Sequence, residues 1–82
     1  MIFLIDYDCK VGKLVTMKTF DDASLKQAYD ERLNLELEQR HQGIMREVVL
    51  LDAANEEAIR RTHGRYFKSA QELVDEFFDS IR

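Results

Sequence analysis

Residues 60–68, RRTHGRYFK, gather four basic side chains and no acidic one, with Tyr66 and Phe67 among them. Guanidinium groups can grip phosphate oxygens through paired N–H donors, and a neighbouring aromatic ring can stack on a base. Arg60, Arg61, Arg65 and Lys68 are therefore the candidate contacts for an anionic ligand or a nucleic acid. The competing reading is structural. Basic residues near a helix C-terminus answer its dipole, and rings at helical spacing belong to a core. Tyr66 follows Ile59 by seven residues and so shares its inward stripe, whereas Arg61 and Arg65 share another line at i,i+4. That separation denies the charges a stacking platform. The overall balance points the same way: 16 acidic against 12 basic residues leave a net charge of −4, whereas a dedicated nucleic-acid binder is usually basic.

Other residues could in principle do chemistry. Asp6 and Asp8 stand at i,i+2 at the end of an apolar run and share one face, an arrangement able to hold a divalent cation or to work as acid and base. The simpler expectation is a solvated strand end where the chain turns. Glu38 and His41 form one E-x-x-H, but di-iron bundles need that motif on two helices and no second copy occurs. Cys9 could be a nucleophile with His41 or His63 as base, yet a hairpin turn lacks the helix N-terminus that lowers a thiol pKa. There is no phosphate-cradling glycine loop, nucleophile elbow or zinc spacing. The sequence points away from an enzyme, marks no catalytic or metal-binding residue and implies no cofactor. No stretch resembles a known family closely enough to carry a function across.

The elements that must position these residues are legible. A chain of 82 residues supports one domain, and 45% hydrophobic with 34% charged residues suits a folded one. The single cysteine allows no internal disulfide. The start, MIFLIDYD, lacks a basic leader region, and no run approaches the ~18 apolar residues of a membrane span. These features predict a soluble cytoplasmic protein with no membrane contact.

Residues 2–7 predict a strand that is apolar on both faces, and 14–20 a half-exposed, lysine-bearing return strand, with Gly12 in the turn between them. Asp21, Asp22 and Ser24 can cap a helix over about 23–41, stopped at Gly43. The run EVVLLD, 47–52, predicts a buried strand, and Asn55 caps a second helix that ends near His63 and Gly64. A capping box at Ser69 and Glu72 opens a last helix with Leu73, Val74, Phe77, Phe78 and Ile81 on its apolar face. The order ββαβαα predicts an α+β fold: a small three-stranded, mostly antiparallel sheet in the order 2-1-3, with right-handed crossover and helices packed on one face.

Apolar surface exceeds what one small core needs. Leu25, Tyr29, Leu33 and Leu37 recur every four residues along the first helix, with Ala28 and Leu35 on the adjoining flank. Leu35 and Leu37 lie about 200° apart on the helical wheel, so one flat sheet cannot cover both. The third strand is apolar and unblunted although the topology puts it at an edge. These features predict a non-catalytic interaction or regulatory protein that associates with itself or with a protein partner, Leu35 and Leu37 being candidate contacts. The alternative is a nucleic-acid or phosphate-ligand binder working through residues 60–68.

Overall fold

The computed structural model describes residues 1–68 and residue 79. Strand β1 (Ile2–Asp8) is the middle of a three-stranded antiparallel sheet, between β2 (Lys13–Phe20) and β3 (Glu47–Asp52). Central placement follows from composition: residues 2–7 are all buried, and only a strand apolar on both faces can be covered on both. Successive side chains alternate across a strand, so Phe3, Ile5 and Tyr7 face one way and Ile2, Leu4 and Asp6 the other.

Each row takes its own helix. Phe3, Ile5 and Tyr7 form one core cluster with Ile59 of α2 (Glu56–Thr62) and Tyr66 of the 3-10 helix Gly64–Phe67. Ile2 and Leu4 form a second cluster with Phe20 and with Ala28 of α1 (Leu25–His41). The fold is α+β as expected, but the helices divide between the two faces instead of sharing one. The cause is β1 itself, which offers an apolar row to each side.

Local chemistry fixes the joints. Gly12 adopts φ 66° at the end of the hairpin turn, and the Asp8 carboxylate accepts from the backbone N–H groups of Lys10 and Val11 at 2.9 and 3.4 Å. The β1–β2 register shifts between Asp6 and Tyr7, which pair with Thr16 and Leu14, so Val15 is the extra residue of a bulge. Gly43, at φ 72°, ends α1: its N–H bonds the Arg40 carbonyl while the Ile44 N–H bonds that of Gln39, the paired bonds of a Schellman cap. Asn55 caps α2, its side chain accepting from the Ala58 N–H at 2.8 Å.

The face that α1 turns to the sheet departs from the simplest reading of its sequence. Ala28 and Gln39 are buried and Leu35 is half-buried, whereas Leu25, Tyr29, Leu33 and Leu37 are all exposed. The flank, not the leucine stripe, meets the strands. Ala28 lets the backbone come close, and Gln39 answers a buried carboxylate on β1. The last predicted helix, with Phe77 and Phe78, lies outside the described residues.

Candidate functional site

The three arginines of the basic segment each meet a carboxylate within the chain. Arg60 and Arg61, in the last turn of α2, pair with Glu56 and Glu57 one turn back, at 2.7 and 3.0 Å. Arg65 reaches across to β3, one of its terminal nitrogens donating to both oxygens of Glu47 at 2.8 and 3.0 Å. The same nitrogen donates to the Tyr66 hydroxyl at 2.8 Å, and that hydroxyl donates to Glu47 at 2.9 Å. The guanidinium lies over the rings of Tyr66 and Tyr7, 4.2 and 5.6 Å from their centroids, and the two rings meet edge to face at 5.2 Å. Arg60 sits over Phe67 at 4.6 Å.

Electrostatics follow the geometry. Burial alone pushes the Glu47 carboxyl up, but hydrogen bonds from Arg65 and Tyr66 and the Arg65 charge outweigh it, leaving Glu47 below its ordinary value. Burial, then the bond to Glu47, raises the Tyr66 hydroxyl above its usual range. Tyr66 is buried, as its spacing from Ile59 predicts, and is committed to this cluster. A phosphate approaching Arg60, Arg61 or Arg65 must compete with a carboxylate already in place. Lys68 is half-buried and lines, with Lys13 and Arg60, a hollow of about 310 Å³ beside the hairpin turn.

Asp6 and Asp8 do not form a pair. Asp8 holds the turn, while Asp6 is only 3% exposed, between the sheet and α1, which corrects the expectation of a solvated strand end. Gln39 donates to one Asp6 oxygen at 3.0 Å, and the Arg46 Nε stands 3.3 Å from the other without hydrogen-bond alignment. Over this pair opens a cleft of about 800 Å³ between the C-terminal end of α1 and the hairpin turn, lined by Cys9, Lys10, Arg40 and Met45 among others. Cys9 is exposed, its sulfur 3.7 Å from Glu47. Glu38 and His41 are exposed on α1, and no group of three or more potential metal ligands occurs among the described residues. Gln39, Arg46 and Glu47 were not singled out by the sequence. The available signal was Asp6 itself, a carboxylate inside an otherwise apolar strand, which must find a partner.

Among the described residues the main unpartnered surface is on α1. Leu25, Tyr29, Leu33 and Leu37 are 46, 50, 53 and 51% exposed on successive turns. Leu35 turns toward the sheet and Leu37 away from it, so of the two candidate contacts only Leu37 belongs to this stripe. On the wheel, Glu31 lies about 60° to one side of Ala28, whereas the stripe winds from about 60° on the other side at Leu25 to about 180° at Leu37. Glu31 reaches Lys18 of β2 at 2.8 Å, so Leu25 and Tyr29 lie toward β3 while Leu33 and Leu37 face away from the sheet. Among the described residues no strand pairs with the outer edge of β3. No helix among them is long and apolar enough to cross a membrane.

No protein-family model matches the chain, and neither the curated proteins nor the solved structures gave a match.

Proposed function

We propose that the protein is a non-catalytic interaction module that associates with itself through the exposed stripe of α1. The observation that carries this reading is the run of four large apolar side chains, each about half exposed, on one line of one helix. Scattered apolar residues on a surface need no explanation, but a contiguous row leaves a face that water solvates poorly, and covering it gains roughly 25 cal/mol per Å² of apolar area. The exposed free thiol of Cys9 supports a reducing, cytoplasmic setting. The carboxylate partners of Arg60, Arg61 and Arg65 weigh against an anionic ligand as the main partner.

Sedimentation equilibrium tests the reading. The wild-type chain is expected to associate at micromolar concentration, with little response to salt because the contact is apolar. The double variant Leu33→Glu, Leu37→Glu is expected to be monomeric with its circular dichroism unchanged. A wild-type protein that stays monomeric at high concentration overturns the proposal.

A further inference from the structure

The cleft at the C-terminal end of α1 is separate from both the basic segment and the outer stripe residues Leu33 and Leu37. We infer that it is a binding site for a small organic acid, a carboxylate on an aliphatic or aromatic body. Lys10 and Arg40 meet the carboxylate, and Ile44 and Met45 meet the body.

At about 800 Å³ the cleft has the volume of a small-molecule site, whose usual make-up is an apolar lining with a few convergent polar groups. The apolar part here is Ile44, half-buried, and Met45, which at 80% exposure is the most exposed large apolar side chain among the described residues. A thioether side chain is unbranched and polarisable, so it adapts to the body laid against it.

Charge decides the sign of the ligand. Among the described residues, Lys10, Arg40 and Arg46 line the cleft against Glu36 and Glu47. Both carboxylates are already met from outside it, Glu36 by Arg32 at 3.6 Å and Glu47 by Arg65 at 2.8 Å. Arg46 is committed to Asp6. Lys10 and Arg40 remain, both exposed, and no carboxylate among the described residues stands within ion-pair distance of either. Arg40 also answers the dipole of α1, but a helix end does not account for Lys10 on the hairpin turn. The complementary occupant is an anion. A chain of net charge −4 gives an anion no long-range steering, so attraction arises only inside the cleft and the apolar body must supply part of it.

The walls are set before a ligand arrives. On one side the Asp8 carboxylate holds the backbone N–H groups of Lys10 and Val11. On the other the Schellman cap fixes Gly43 and Ile44, and a Cβ added at Gly43 would meet no atom within 4 Å, so the cleft stays open there. Beneath them Gln39 donates to the buried Asp6 at 3.0 Å. Walls held in this way leave little ordering to be done on binding.

Cys9 reports occupancy. It is the only cysteine, exposed on the cleft wall beside Lys10, so a bound body shields it from a neutral alkylating reagent such as iodoacetamide. The probe is decanoate added to the full-length chain at millimolar concentration, the affinity range expected of so small a ligand. Alkylation is expected to slow at least threefold. Decyltrimethylammonium, with the same tail and the opposite charge, and acetate, with the same head and no tail, are expected to leave the rate unchanged. The double variant Lys10→Gln, Arg40→Gln is expected to keep its circular dichroism and lose the protection, and Met45→Asp to lose it too. Leu33→Glu, Leu37→Glu is expected to retain it, because those residues lie outside the cleft.

Equal protection by both tails makes the cleft an apolar patch and overturns the assignment of an acid. Protection by phosphatidylglycerol vesicles without protection by decanoate marks a membrane surface and overturns it as well. So does an unchanged rate with decanoate, the result if residues 69–82 or a second copy already fill the cleft. None of these outcomes bears on self-association through α1, which sedimentation reads separately.

Discussion

Arg65 and Glu47, 18 residues apart, are joined by a single guanidinium nitrogen that donates to both carboxylate oxygens at 2.8 and 3.0 Å. The pair ties the 3-10 helix after α2 to the start of β3. Because the native carboxyl lies below its ordinary value, the unfolded chain binds more protons in the acid range, and stability there rises with pH. The contribution is fully present above the ordinary glutamate value of about 4.3 and is lost as pH falls through the lower native value. At the other limit, the hydrogen bond from the N-terminal ammonium to Asp22 raises its pKa against desolvation, so that contribution is lost as pH climbs past the ordinary amine value. Denaturant midpoints measured against pH are expected to fall on the acid side, and Glu47→Gln to flatten that limb.

The same geometry divides the arginines of the basic segment. Arg61 pairs with Glu57 on an exposed helix surface, where such bonds contribute ~0.5 kcal/mol or less. Arg61→Glu is expected to leave the melting temperature within a few degrees of wild type. Arg65→Glu sets a second carboxylate beside Glu47 and strips the cation from Tyr7 and Tyr66, so its midpoint is expected to drop clearly. Neither variant should alter association between copies. Tight RNA binding at physiological salt, lost in Arg61→Glu alone, would favour the anionic-ligand reading instead.

Asp6 predicts a larger effect. Removing Arg46 takes away the cation of the ion pair and leaves a carboxylate that is 3% exposed with only the Gln39 hydrogen bond among the described residues. Arg46→Met is expected to cost about 3 kcal/mol, since an uncompensated buried charge is expensive. The double change Asp6→Leu, Arg46→Met removes the charge along with its partner and should recover most of that loss in urea denaturation. If the double variant is less stable than Arg46→Met alone, the pair does more than neutralise itself.

Residues 2–7 and the caps at Gly43 and Asn55 made the sheet order and the helix ends legible, because period, turn chemistry and burial all point one way there. Where two physical demands compete, the pattern misleads. Along α1 the apolar stripe is the strongest periodic signal, yet the flank of Ala28 and Gln39 faces the sheet. Asp6 decides this: a buried carboxylate needs a donor, and satisfying it turns the helix about its axis. No propensity or periodicity records such a requirement between helix and strand. For the same reason the partners of the basic segment were only half visible. The i,i+4 pairs of Arg60 and Arg61 can be read from spacing, but Arg65 and Glu47 meet only through the fold.

A contrast between Leu33 and Ile59 separates core from contact surface. Ile59 is fully buried between α2 and the sheet, with Phe3, Ile5 and Tyr66 in its cluster, so Ile59→Ala is expected to cost about 2–5 kcal/mol at any protein concentration. Leu33 is 53% exposed on α1, so Leu33→Ala should change the stability of the monomer by less than about 1 kcal/mol. Stability that depends on association rises with concentration by mass action, whereas stability from a core does not. Unfolding midpoints over a hundredfold concentration range should therefore rise in wild type and in Ile59→Ala but show little rise in Leu33→Ala. If Leu33→Ala instead loses as much as Ile59→Ala at every concentration, the stripe is core covered within one chain, and the interaction reading fails with it.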